Sequence, residues 1–185
     1  MVGIILPTEA ETLYFGFDES NHAGQNKKGE IVVVLVSSDV NDSFVQNYPN
    51  HRENVEFVMS GGGQYDYRFT ILMGDKYRYH SSSTTLAENA FFLTKPFIHE
   101  KLKCIKLYFD GPILRWQKEF IRDQFSGIEK VIVDNFTKKQ KINHINTRKG
   151  PKCPRVVYLA DSLANRLYNT PTGELLSHPK FIPRS

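Results

Sequence analysis

The sequence predicts an α/β fold on a mixed five-stranded sheet, three antiparallel strands followed by two parallel ones, with helices on both faces. Three observations carry this reading. Apolar runs rich in β-branched and aromatic residues recur at positions 13–18, 30–37, 68–73, 103–110 and 131–133. The first three of these are separated without a clear helical repeat, whereas from Ser83 onward each strand is flanked by segments of helical period. Finally, single aspartates close two of the runs and a third interrupts the last helical segment, at places where propensity asks for core.

The elements follow in order. Leu13-Tyr-Phe-Gly-Phe-Asp18 reads as a buried strand, and the polar stretch from Ser20 to Gly29 turns the chain into Glu30 to Ser37, a second strand dense in valine. Residues 39–67 form an insertion: Asp39 to Glu53 is polar, Val55-Glu56-Phe57-Val58-Met59 reads as a short strand, and Gly61-Gly62-Gly63 is a break. Arg68 to Met73 is the third strand of the sheet. Leu86, Ala90, Leu93 and Phe97 then recur at helical spacing, with Thr84 or Thr85 available as N-cap and Pro96 ending the helix early. Lys103 to Asp110 is a strand closed by Gly111-Pro112. Trp116, Phe120, Ile121 and Phe125 mark an amphipathic helix that stops at Gly127. Val131-Ile132-Val133 is the last strand, Arg155 to Tyr168 the last helix, and the proline-punctuated tail 169–185 an irregular strap or frayed end.

Length and composition set the bounds. The 185 residues suffice for a single domain whose core needs no disulfide or structural metal, and 40% hydrophobic with 24% charged residues fits a soluble globular protein. Met1 to Pro7 has no basic start and is too short for a secretory signal, and no stretch approaches the ~20 apolar residues of a membrane span. Two cysteines, Cys104 and Cys153, fit a reducing, cytoplasmic setting and exclude a cysteine-rich zinc site. A net charge of +4 is compatible with a polyanionic partner.

The acids carry the chemistry. In a mixed sheet of this order the first strand lies centrally, beside the strand that follows the first helix. Asp18 and Asp110, each at the C-terminal end of its strand, then share one edge of the sheet, the usual address of sites in open α/β sheets. On the last helix Val156, Leu159, Ala160, Leu163, Ala164 and Leu167 form one apolar arc, and Asp161 lies at its margin. Small Ala160 and Ala164 let that helix approach the sheet. An ionised carboxylate beside apolar strand residues is costly unless it is paired, hydrogen-bonded or bound to a metal. Carboxylate oxygens suit hard cations, so Mg²⁺ or Mn²⁺ is the expected cofactor, and a pair of such ions can clamp and cleave a phosphodiester without a nucleophilic side chain. In that scheme Asp18 bridges the ions and Asp110 and Asp161 hold one each. Asp134 would join them only if its strand lay centrally; at the sheet edge it is too distant.

Phe17-Asp18-Glu19-Ser20 after a strand resembles the Asp-Glu opening of type 2 ribonucleases H. It resembles still more the Asp-Glu-Ser-Gly opening of a widespread group of uncharacterised ribonuclease H-like proteins. Those proteins also carry an aspartate after the fourth strand and a late helix beginning Leu-Ala-Asp, which Leu159-Ala160-Asp161 resembles. The order of elements is similar over roughly residues 12–168. The resemblance implies a ribonuclease H-like fold and a metal-dependent nuclease site of Asp18, Asp110 and Asp161, with Glu19 as a second-tier ligand. The chain departs from the type 2 enzymes after Ser20, where Asn21-His22-Ala23-Gly24 stands in place of a Gly-Arg-Gly run that senses the ribose hydroxyl. A preference for RNA paired with DNA therefore does not carry over.

Between the last strand and the last helix, Thr137 to Arg155 contains Lys138, Lys139, Lys141, Arg148, Lys149, Lys152 and Arg155 and no acid. Leading into the helix of Asp161, this stretch is expected to seat phosphates of DNA or RNA with salt-dependent affinity. Tyr77-Arg78-Tyr79-His80 has the composition of a base-stacking strip but reads more simply as a strand end, and His22 and His144 read as ordinary surface histidines. Gly61-Gly62-Gly63 lacks the Gly-Lys-Ser/Thr continuation of a phosphate loop. The competing readings are a nucleic-acid-binding module that keeps the fold without turnover and, more remotely, an actin-like ATPase, which this chain is short for and whose paired glycine-rich phosphate loops it lacks.

Overall fold

In the computed structural model, residues 9–20, 30–40, 51–61, 64–74, 81–136 and 153–184 are described. Alternation along each strand decides the architecture. In β1 (Thr12–Ser20), Leu13, Phe15 and Phe17 turn to one face and Tyr14, Gly16 and Asp18 to the other. β2 (Glu30–Ser38) and β3 (Tyr65–Met73) continue the sheet antiparallel, with Asp18 opposite Val34 and Val34 opposite Phe69. On the other side of β1, β4 (Cys104–Asp110) and β5 (Lys130–Phe136) run parallel to it, giving the order β3-β2-β1-β4-β5. The expected mixed sheet is therefore the observed one, with β1 at its centre.

Both faces are covered. α2 (Ser82–Thr94) and α3 (Arg115–Asp123) lie on the face of Phe15, Phe17, Leu107 and Phe109, burying Leu86, Ala90, Leu93 and Ile121 against them. α1 (His51–Met59) and α4 (Arg155–Tyr168) lie on the face of Val32, Val34, Val36 and Phe69, with Leu159, Ala160 and Leu163 inward. A short α5 (Thr172–Leu176) buries Leu175 in the same layer. Among the described residues no helix is long and apolar enough to cross a membrane.

Three local expectations are corrected, and the tail takes the first of its two expected forms. Val55 to Met59 is helix, not strand: Val55 and Val58, three apart, bury together, and β2 and β3 already pair directly from Ser38 opposite Tyr65. The N-cap of α2 is Ser81, whose hydroxyl accepts from the Thr84 N–H at 3.2 Å; the hydroxyl run at 81–85 offers several caps in sequence, and the first is used. On α3, Ile121 is buried and Phe125 after it as well, but Trp116 and Phe120 are exposed. The tail is ordered as a strap on the β3 edge: Ile182 N–H donates to the Phe69 carbonyl at 2.8 Å and Phe69 N–H to the Lys180 carbonyl at 3.2 Å.

Candidate metal centre

Parallel pairing of β1 and β4 sets Phe17 beside Phe109, so Asp18 and Asp110 leave their strands side by side on the α4 face. The chain turns sharply after Asp110. Gly111 has φ +103°, a conformation that strains any side chain, and its N–H donates to the Phe136 carbonyl at 2.9 Å, tying the end of β4 to the end of β5.

α4 reaches the same point because nothing stands between it and β1 at Gly16. A methyl carbon added there would lie 2.2 Å from the carbonyl carbon and oxygen of Val156. From that crossing, two residues along β1 give about 6.6 Å and five along α4 about 7.5 Å, so strand and helix arrive together at Asp18 and Asp161. One carboxylate oxygen from each of Asp18, Asp110 and Asp161 lies within 4.8 Å of the others, all three residues being half-buried. Two unit charges 4.8 Å apart repel by about 1 kcal/mol in water and about 3–4 kcal/mol at an effective dielectric of about 20. Three hard oxygen donors converging from three elements therefore fit a divalent cation of the Mg²⁺ or Mn²⁺ kind, which such a set would hold by charge and by donor type. Beside them Tyr108, on the same face of β4, has its phenol pushed up to about 12 by burial and, secondarily, by Tyr14, Asp134 and Cys104, and stays protonated.

Glu19 goes elsewhere. As the next residue on the strand it faces the opposite layer, is 4% exposed, and accepts a hydrogen bond from the Ser82 hydroxyl at 2.5 Å in the first turn of α2. Ser82 was not legible as its partner, although the hydroxyl run before a helix is the signal that could have found it. Asp134 stands on the edge strand β5 with Lys118 at 3.5 Å, outside the three-carboxylate group. Arg155 lies over the rings of Phe57 and Tyr65, at 4.9 and 5.8 Å. Tyr65 pairs with Ser38 and Ser38 with Tyr14, four residues or about 13 Å before Asp18, so Arg155 belongs to the other end of the sheet. Lys138, Lys139, Lys141, Arg148, Lys149 and Lys152, with His22, His144 and Tyr77 to His80, lie outside the described residues.

No protein-family model matches the sequence, and no curated protein does. Among solved structures, the ribonuclease H2 from Pyrococcus horikoshii OT3 is similar, with a TM-score of 0.52 over 92% of this chain and 81% of that one at 13% identity. The fold is ribonuclease H-like. At that identity the likeness speaks for the fold alone, and the nearer resemblance to proteins opening Asp-Glu-Ser-Gly rests on sequence. Within the ribonuclease H-like sheet the three aspartates stand on the two central parallel strands and on the helix that crosses them.

Proposed function

We propose that the protein is a metal-dependent nuclease that cleaves phosphodiester bonds at Asp18, Asp110 and Asp161. The convergence of these three carboxylates within 4.8 Å, from strands and a helix far apart in sequence, carries the reading. Divalent cations of the Mg²⁺ or Mn²⁺ kind, when bound, supply positive charge against the charge that develops on a phosphodiester during displacement. The carboxylates hold and orient that charge. β1 and β4 fix two of them rigidly, and the Gly16 crossing fixes the third. Glu19 serves from behind, tying the end of β1 to the first turn of α2 through Ser82. The lysines and Arg148 between β5 and α4 supply the phosphate affinity in this reading, and the substrate is DNA or RNA.

A cleavage panel of labelled single- and double-stranded DNA, RNA and hybrid with Mg²⁺ or Mn²⁺ tests this. Products made by the wild type and lost in Asp18→Asn, with both proteins folded, are expected. Full activity in Asp18→Asn removes the proposal. Salt-sensitive binding without cleavage under any condition replaces it with a nucleic-acid-binding module.

A further inference from the structure

α1 and α4 enclose an open groove of about 910 Å³. Val55 and Met59 give it an apolar floor, and α4 contributes Ser162, Asn165, Arg166 and Asn169. We propose that this groove is a nucleotide subsite, which takes an unpaired nucleotide of the strand whose neighbouring phosphodiester lies at Asp18, Asp110 and Asp161. The inference rests on the phosphodiesterase reading above and adds to it the strandedness of the substrate.

Placement is the first argument. Around an α-helix successive residues turn by about 100°, so Asn165 lies about 40° round from Asp161, Asn169 about 80° and Arg166 about 140°. The two asparagines thus form a polar path over the ridge of α4, from the carboxylate flank to the groove. Asn165 is only four residues, about 6 Å, from Asp161 along the axis. Asn169 donates its amide to the Asn165 carbonyl at 2.8 Å and to its Oδ1 at 3.3 Å, which holds the two side chains as one surface.

Chemistry is the second. A base needs an apolar face to lie on and donors and acceptors at its edge. Met59, 47% exposed, with Val55 supplies the face, and Asn165 and Asn169 supply the edge partners. Arg166 is the cation for the attached phosphate. Arg166 stands on α4, so the backbone lies toward α4 and the base toward α1. Size is the third. The volume lies within the range of small-ligand pockets, about 300–1,000 Å³. A groove of this volume holds one nucleotide rather than a base-paired stretch of two strands. The groove therefore selects a single strand.

The test uses Ser60→Glu and Arg166→Ala, two exposed groove positions that hold none of the three carboxylates. Each is placed in the wild type and in Asp18→Asn. Affinity for a short labelled single strand and for the blunt duplex of the same sequence is measured by fluorescence anisotropy, with Mn²⁺-dependent thermal stabilisation as the control for the carboxylates. Single-strand affinity is expected to fall about tenfold in either variant, with duplex affinity and the Mn²⁺ effect unchanged. Single-strand affinity unchanged to within about twofold in both variants, or no binding of single strands by any form, overturns the subsite. If the wild type cleaves nothing while strand affinity still depends on Ser60 and Arg166, the subsite stands and the phosphodiesterase reading falls. Cleavage and strand binding that continue undiminished in both variants leave the reverse.

Discussion

Gly16 is the residue on which the carboxylate geometry depends most. Its missing side chain is the space occupied by the Val156 backbone, and Gly16→Ala forces carbon against carbonyl at 2.2 Å, where no rotamer can relieve it. Overpacking of this kind costs about 1–3 kcal/mol, with contacts to backbone at the upper end. The helix must also lift from β1, moving Asp161 away from Asp18. Gly16→Ala is therefore expected to lower the melting temperature by roughly 6–12 °C and to weaken Mn²⁺-dependent stabilisation beyond that loss, both read in one thermal titration. An unchanged Mn²⁺ effect would separate the crossing from the site. At Asp18 itself the expected loss is of metal response: Asp18→Asn should lose the stabilisation that Mn²⁺ confers, read as the melting shift between chelator and metal. A Mn²⁺ effect retained in Asp18→Asn would take the cation away from this carboxylate. The three aspartates were legible in sequence because a charge after an apolar run is conspicuous. Gly16 was not, since a glycine inside Leu-Tyr-Phe-Gly-Phe is easily absorbed into the strand, although a glycine in a strand interior signals close backbone approach. Ala160 and Ala164 are buried in the layer that α4 lays on the sheet, and Gly16 adds the contact with the Val156 backbone.

Among elements, the strap after α5 is the one whose attachment depends on pH. His178 Nδ1 accepts the Lys180 N–H at 3.1 Å, which leaves the proton of the neutral ring on Nε2, 3.3 Å from the Tyr67 hydroxyl. Protonation at Nδ1 forfeits the first bond. Burial, and next the Lys180 ammonium, hold the imidazole below its ordinary value. The unfolded ring takes its proton near pH 6.5 and the folded ring only at lower pH, so the unfolded state binds more protons in that interval. Stability is full above about pH 6.5 and falls as the pH drops through the interval, levelling once the folded ring protonates too. Exchange of the Ile182 amide should therefore quicken between pH 7.5 and 5.5 relative to the intrinsic rate, and His178→Asn, which keeps an acceptor but does not titrate, should flatten the dependence. Equal pH profiles in the two proteins would remove His178 from the account. Elements that repeat are legible in the sequence, a short run is not, and the irregular tail is legible as a strap or frayed end but not in what it attaches to. The Arg155–Tyr168 helix was legible to the residue from its apolar arc. α1 was not, because Val55 to Met59 is too short a run to separate a period of two from one of 3.6. The strap has no period at all; it is held by backbone bonds to an edge that only the assembled sheet presents.

At the scale of the whole molecule, one end of the sheet carries the carboxylates and one long edge, that of β3, would be open but for the strap. An uncovered edge strand offers a ladder of unpaired N–H and C=O groups to another chain. Residues 178–182 occupy it with two backbone bonds to Phe69, with Phe181 against the Phe69 ring, and with Lys180 2.5 Å from Asp66. Asp66 also holds Arg68 at 2.8 Å, and Arg68 is 7% exposed. The strap thus supplies the second cation to an acid that must neutralise a nearly buried guanidinium, and its loss leaves the edge bare and the ion network incomplete. Truncation after Ser177 keeps Leu175 in the core and removes only the strap. It should cost about 2–4 kcal/mol in a denaturant titration, from two backbone bonds, an aromatic contact and a part-buried ion pair. It should also shift light scattering toward higher mass as protein concentration rises, through pairing of β3 edges, while Mn²⁺-dependent stabilisation persists because Asp18, Asp110 and Asp161 lie on β1, β4 and α4. A truncated protein with the stability and mass of the full chain would mean that β3 is protected by its own side chains. Loss of the Mn²⁺ effect along with the strap would mean that the β3 edge and the carboxylate end are coupled through the sheet, against the separation that the register implies.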